Sequence, residues 1–248
     1  MTALTPRLRM FAGPNGSGKS TLKDTLPPQW LGVYVNADEI EKTIRAQGRL
    51  NLGDFEVTAQ TTELQVFLEA SILLKKAGLS ETVRQLRLLD NQVVFDNMEV
   101  NSYLASVFAD FIRHKLLEAG ISFTFETVMS SPDKVTFLQK AQSLGYRTYL
   151  YFVATEDADI NVARVQYRVQ TGGHPVAEDK IRSRYKRSLA LLSEAIAYAD
   201  RAYIFDNSGH SRVWIAEITS GVEMEAKTNE IPAWFKTALW DSFEHVPH

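Results

Sequence analysis

The 248-residue chain contains no cysteine. That excludes a disulfide framework, a thiolate metal site and a cysteine nucleophile, and it fits a reducing compartment. No apolar run approaches the roughly 18 to 20 residues needed to span a bilayer. Residues 1–10 hold no apolar signal core ahead of the first motif. Neither charge sign dominates: the net charge of −3 argues against a mainly electrostatic partner such as nucleic acid or a membrane surface, while leaving room for a local basic patch. The five histidines are scattered without paired spacing, which argues against a metal site built on them. Internal repeats and low-complexity segments are also missing. What remains is a soluble globular protein expected in the cytoplasm. At 45% hydrophobic and 23% charged it has an ordinary composition, and its length suits one large domain over 1–248 with ample core.

The residue pattern alternates strands and helices. Leu8–Ala12 reads as a first strand running into a Gly-rich segment, with a helix from about Lys19 that Pro27-Pro28 breaks. Val33–Val35 reads as a short strand ending at Asn36-Ala37-Asp38. The stretch 40–119 is mostly helical in period, with Leu64, Phe67, Leu68, Ile72 and Leu73 at helical spacing; Val93-Val94-Phe95 fits a strand or a helix equally. Because a simple crossover needs far fewer residues, a helical insertion is expected at about 44–104. Ile121–Val128 reads as a strand ending in Glu126-Thr127, and Ser131-Pro132-Asp133 as a helix start. Arg147–Thr155 is a strand, 158–170 a basic helix, and a long helix is expected up to Tyr198. Ala202–Phe205 is a further strand before Asp206-Asn207-Ser208-Gly209. The extension at about 211–248 reads as a hairpin around Ser220-Gly221 plus a short amphipathic helix with Trp234 and Trp240. Strands separated by helices predict a mostly parallel sheet covered on both faces, with ligands at the carboxyl ends of the strands.

Residues 13–20, Gly-Pro-Asn-Gly-Ser-Gly-Lys-Ser, match the P-loop pattern in full, between a strand and a helix. Glycines let successive N–H groups approach phosphate oxygens, and the helix N-terminus behind them favours an anion. Gly13, Asn15, Gly16, Ser17, Gly18, Lys19, Ser20 and Thr21 are the expected nucleotide contacts. Lys19 would reach the β- and γ-phosphates, and Ser20 would join the Mg2+ shell. Neither an Asn-Lys-x-Asp guanine-reading motif nor a Leu-Ser-Gly-Gly signature occurs, which favours ATP.

Asp38 follows a strand. It could accept a substrate hydroxyl proton or hold the metal's water shell, or it could simply cap the next helix. Glu126 closes an apolar strand and is a candidate to orient substrate or contact the metal shell, with Thr127 beside it; the alternative for Glu126 is a solvated strand end. Arg164 and Arg168, four apart, share a helix face, and Arg182 and Arg184 follow the Gly172-Gly173 pair. Together they suggest an arginine lid over about 158–187 that closes on the transferring phosphoryl group, the alternative being an ordinary solvated helix face. His174 is expected to shape that lid. Asn207 would lie near the nucleotide base, unless the segment is only an Asx turn.

Taken together, these motifs resemble the zeta-toxin group of P-loop kinases, in a chromosomal zeta-like branch. The resemblance rests on residues 13–20, Asn-Ala-Asp-Glu-Ile at 36–40, Phe-Glu-Thr-Val-Met-Ser at 125–130, Gly-Gly-His-Pro-Val at 172–176, Lys-Ile-Arg-Ser-Arg-Tyr-Lys-Arg-Ser-Leu at 180–189 and Phe-Asp-Asn-Ser at 205–208. It implies a P-loop kinase-like α/β three-layer sandwich with ATP and Mg2+ as cofactors. It also implies phosphorylation of a hydroxyl on a nucleotide-linked sugar such as UDP-N-acetylglucosamine, and a small antitoxin as protein partner. By the same resemblance Lys19 is the phosphate-binding lysine, Asp38 the base and Glu126 the substrate-binding glutamate; Arg164 or Arg168, with Arg182 or Arg184, clamp the phosphates. Two departures concern the acceptor: the insertion has no counterpart in the founding toxins, and Val128 stands near a position where they offer a hydroxyl. Two readings from other classes stand beside this one, an ATP-dependent switch module and a nucleic-acid end kinase; the acidic balance argues against the second.

Overall fold

The computed structural model describes residues 5–95, 98–173 and 175–243. His174, expected in the lid, lies outside them. β1 (Arg7–Ala12) leads through the Gly-rich loop to α1 (Lys19–Lys23), α2 (Pro28–Leu31), β2 (Val33–Val35) and α3 (Ala37–Gln47). Then come β3 (Arg49–Asn51), α4 (Thr61–Ala70), α5 (Ile72–Lys76), α6 (Ser80–Val83), β4 (Arg87–Leu89) and β5 (Gln92–Val94). α7 (Ser102–Glu118), β6 (Phe123–Thr127), α8 (Asp133–Ser143), β7 (Arg147–Ala154), α9 (Ala158–Gln170), α10 (Glu178–Ala190) and α11 (Leu192–Ala197) follow. β8 (Arg201–Asp206), β9 (Val213–Thr219) and β10 (Glu223–Ala226) precede α12 (Ala233–Phe235), a π-helical stretch Lys236–Trp240 and α13 (Asp241–Phe243).

These elements form two compact units, Met1–Trp30 with Glu126–His248, and Leu31–Phe125. In the first, β1, β7 and β8 run parallel, and β9 and β10 add antiparallel strands beside β8. Leu8, Met10, Phe11 and Ala12 are fully buried, as are Leu150, Phe152, Val153 and Ala154, which is why these strands read as nearly unbroken apolar runs. Each large side chain among them contributes about 1.5–3 kcal/mol by leaving water. The register sets Ala12 beside Phe152 and Ala154 beside Asp206, so three loops leave the same edge of the sheet. The β9–β10 turn has Ser220 at φ 52° and Gly221 at φ 75°, the backbone that matches the strand twist of a tight hairpin.

Two helices differ from the sequence expectation. α1 ends at Lys23, before Pro27, and Pro28 opens α2, a position that proline tolerates because its missing N–H has no helical partner there. The long helix expected up to Tyr198 is divided at Leu191 (φ −91°, ψ −4°) into α10 and α11.

In the second unit β2 pairs with β6 in parallel, Val33 with Phe123 through Val35 with Phe125. α3 begins at Asn36, whose side-chain oxygen accepts from the N–H groups of Asp38 and Glu39, and it ends at Gly48 with φ 66°. α7 is capped by Asn101 and buries Leu104, Phe108, Phe111 and Ile112. The segment expected as a helical insertion carries α4 to α6 together with a three-stranded antiparallel sheet in the order β3-β5-β4. The β4–β5 turn uses Asp90 and Asn91, both at positive φ, and the Asn91 side chain donates to the Val57 carbonyl at 2.7 Å.

Candidate active site

The loop after β1 wraps too tightly for side chains at its glycines. Gly13 sits at φ 136°, and a Cβ there would lie 2.0 Å from the Val153 carbonyl oxygen of β7. Gly18 is at φ 97°, where a Cβ would lie 2.5 Å from Asn207 Nδ2. Lys19 Nζ donates to the carbonyls of Gly13 and Pro14, 2.8 Å each, so the ammonium folds back over the loop. Ser17 is fully buried, and its Oγ has no hydrogen-bond partner among the described residues. Ser20 is exposed at the start of α1, and its hydroxyl donates to Glu126 Oε2 at 2.8 Å. Thr21, next along, is exposed.

α9 and the β8 exit brace this loop. Asp157 caps α9, and Asn161 on its first turn is fully buried; its Nδ2 donates to the Asn15 carbonyl at 2.6 Å while its Oδ1 accepts from Thr155. A Cβ on Gly16 would lie 2.8 Å from the Asn161 carbonyl oxygen, so helix and loop touch backbone to backbone. Asn207 Nδ2 donates to the Ser17 carbonyl at 2.8 Å. Asp206 forms the Asx turn suspected from the sequence, accepting from the Ser208 N–H at 2.9 Å, and its other oxygen accepts from Trp234 Nε1 at 2.7 Å. The turn therefore directs Asn207 to the cradle.

The four arginines divide. Arg184 Nη1 reaches Asn15 Oδ1 at 3.5 Å. Arg164 donates to the Asn207 carbonyl at 2.7 Å and the Gly209 carbonyl at 3.4 Å, bracing the β8 exit. Arg182 pairs with Glu178 and Asp159, whose hydrogen bonds raise its pKa, and it is engaged on the helix surface. Arg168 is exposed on the last turn of α9. Thr127 Oγ1 accepts from the Met129 N–H at 3.0 Å, serving its own turn. Asp38, in the other unit, is exposed on the first turn of α3; Asn36, not Asp38, fills the cap position.

Sequence reasoning did not single out Asn161, Tyr185 or Ser188. Tyr185 is buried, and its hydroxyl donates to the carbonyls of Thr155 (2.7 Å) and Glu156 (3.1 Å); burial pushes its phenol pKa upward, so it stays a donor. The signal for Asn161 was a polar residue on the helix stripe that otherwise holds Val162 and Val165, which pack with Ile181.

The residues present fit a triphosphate. The glycines leave backbone space that any Cβ would fill, the buried Ser17 hydroxyl lacks a partner among the described residues, and a lysine and a helix start complete the cradle. A cation beside the phosphates would find the Ser20 hydroxyl and the Glu126 carboxylate adjacent. Among the described residues no cluster of three or more acidic or histidine side chains could hold a metal alone, and no helix is long and apolar enough to cross a membrane.

Comparison with known proteins decides the family. The family described as Zeta toxin matches residues 58–219, more than half of the chain. This chain is a member of the zeta-toxin family. The match begins downstream of the cradle, which stands on its own geometry. The solved structure of the PezAT chromosomal toxin-antitoxin system of Streptococcus pneumoniae is similar to this zeta-toxin relative at a TM-score of 0.51 and 16% identity, covering 100% of this chain and 82% of that chain. The AvrRxo1-ORF1:-ORF2 structure with ATP is similar at a TM-score of 0.51 and 13% identity, covering 97% of this chain and 64% of that one. At such identities these likenesses show the shared P-loop kinase-like α/β fold. An uncharacterized protein of Haemophilus influenzae is 31% identical over 72 residues, 29% of this chain and 51% of the relative, so the match spans about half of that relative's length.

Proposed function

We propose that this zeta-toxin family member is an ATP- and Mg2+-dependent kinase that phosphorylates a hydroxyl of a small metabolite, first among them a nucleotide-linked sugar such as UDP-N-acetylglucosamine. One observation carries the reading: the cradle at 13–20 has no room for a Cβ, holds Lys19 folded over it, and ends on a Ser20 hydroxyl 2.8 Å from Glu126. A nucleotide cradle next to a carboxylate suits phosphoryl transfer, where catalysis is mostly positioning and charge stabilisation.

Gly13, Asn15, Gly16, Ser17 and Gly18 would bind the phosphates through backbone N–H groups, with Asn207 shaping the far wall. Lys19 neutralises charge on the transferring group, and Arg184 is the arginine nearest to help; Arg164, Arg168 and Arg182 would join on lid closure. Mg2+, when bound beside Ser20, supplies charge neutralisation between the phosphates. Glu126 and Thr127 orient the acceptor, and the Asp38 carboxylate takes the proton of its hydroxyl as the new P–O bond forms and ADP leaves. The toxin–antitoxin source of one structural neighbour supports a small antitoxin as partner, and dependence on ATP supports action in the cytoplasm.

The test is incubation of the full chain with γ-labelled ATP and a metabolite extract. Label should pass to a small molecule with wild type. Lys19→Ala should lower transfer by roughly two to three orders of magnitude, the usual loss for one preorganised charge donor. Asp38→Asn should keep ATP affinity and lose transfer. Wild type that binds ATP but labels no metabolite would overturn the reading.

A further inference from the structure

Four residues of α10 bond to three different loops. Arg184 reaches Asn15 of the phosphate cradle at 3.5 Å. Tyr185 grips the β7 exit at the Thr155 and Glu156 carbonyls. Arg187 Nε donates to the Ser130 carbonyl at 3.0 Å, and Ser188 Oγ donates to the Val128 carbonyl at 2.8 Å. Residues 184, 185, 187 and 188 occupy one side of the helix, so a shift of α10 moves all three loops together.

The carbonyls gripped by Arg187 and Ser188 flank Met129. Met129 lies at φ 52° and is 1% exposed, a buried non-glycine residue in the left-handed region. Such a conformation persists only where its surroundings over-determine it. Here the constraints are Thr127 Oγ1 on its own N–H, Ser188 on the preceding carbonyl and Arg187 on the following one. Ser188 is fully buried, so water cannot replace its hydroxyl. The loop leaves β6 after Thr127, one residue beyond Glu126, the carboxylate that accepts from Ser20.

We propose that α10 couples the nucleotide cradle to the loop at 127–130, with Ser188 and Arg187 acting as positioning residues for Glu126. The inference rests on the kinase reading above. A phosphate in the cradle offers Arg184 a charge-assisted partner stronger than the Asn15 amide oxygen. Drawing Arg184 towards it tightens α10 against the cradle, and Ser188 and Arg187 carry the backbone around Met129 with it. The acceptor-side carboxylate is therefore set when the triphosphate is present, and the turn at Met129 is the element that both sites bias.

Hydrogen exchange on the full chain, with and without ATP and Mg2+, tests this. In wild type, ATP should slow exchange across 126–131 by at least about fivefold, the lower end of ordinary coupling between sites. In Ser188→Ala that slowing should vanish while slowing at 13–20 persists and ATP affinity stays within about twofold, well below an ordinary coupling. A merely structural role would raise exchange with and without ATP alike and leave the ATP-dependent difference intact. Ser188→Ala strands a buried carbonyl, so Arg187→Ala, at an exposed side chain, provides a second variant and should also reduce the slowing. ATP binding with unchanged exchange at 126–131 in wild type, or full slowing in both variants, overturns the coupling alone. Failure of wild type to bind ATP overturns the kinase reading, and the coupling with it.

Discussion

Gly13 is where the constraint on a single residue is sharpest. At φ 136° an L side chain is strained, and its Cβ would stand 2.0 Å from the Val153 carbonyl oxygen and 3.2 Å from Ser17 Oγ. The first of those atoms is backbone at fully buried Val153, so no side-chain rotation relieves the overlap. Gly13→Ala should cost about 3 kcal/mol or more, combining overpacking with left-handed strain. For a chain of this length that lowers Tm by roughly 6–12 °C. Calorimetry with parallel ATP titration checks it: an unchanged Tm would mean that β7 yields freely. Residue spacing made this glycine legible, because the P-loop pattern names both its type and its place. The partners of the loop were not legible in the same way. Asn161 lies 146 positions from Asn15, Tyr185 lies 30 from Thr155 and Ser188 lies 60 from Val128, and no local pattern announces which buried polar side chain will meet which carbonyl.

Elements with strong local signals were read closely, and those that depend on distant partners were not. The β9–β10 hairpin announced itself through Ser220-Gly221 between the runs 213–218 and 222–226, and the turn forms at those two residues. Ser220 pays a conformational penalty that asparagine would not, since asparagine tolerates positive φ far better. Ser220 is exposed, and its backbone N–H donates to the Asp200 carbonyl at 3.0 Å. Ser220→Asn should therefore stabilise by about 0.5 kcal/mol and raise Tm by about 1–2 °C. A fall in Tm would show that the side chain makes a contact the turn geometry does not require. By contrast, β3, β4 and β5 have three residues each, too short to display a period of two; β4 and β5 pair as a local hairpin, but β3 joins β5 from some 40 residues away. The helical period at Leu64, Phe67 and Leu68 therefore dominated the reading of that stretch. The division between α10 and α11 falls at Leu191 without a glycine or proline, so nothing local marks it.

At the scale of the whole molecule, four tyrosines set an alkaline limit on stability. Burial pushes Tyr146 and Tyr151 up to about 12. Burial also raises Tyr185, reinforced by the Glu156, Asp157 and Asp206 carboxylates, and it raises Tyr203, reinforced by Glu217. All four belong to the unit that holds the phosphate cradle. Unfolded, each phenol ionises near 10, so above that pH the unfolded chain binds fewer protons than the folded one, and stability falls with rising pH. The contribution is fully present below about pH 10 and is lost as pH climbs through the folded values near 12. Tyr185 ties the loss to function, because its neutral hydroxyl donates to the Thr155 and Glu156 carbonyls behind α9. A phenolate there would face those carbonyls with no proton to give and would loosen the corner from which Asn161 reaches Asn15. The urea midpoint should therefore hold from about pH 8 to pH 10 and drop beyond it. Tyr185→Phe should leave the onset near pH 10 but make the fall shallower, because one raised phenol fewer is linked to folding, while lowering stability at neutral pH by about 1 kcal/mol for the lost hydrogen bonds. A midpoint that fell equally steeply from neutral pH upward would assign the alkaline loss to groups other than these phenols.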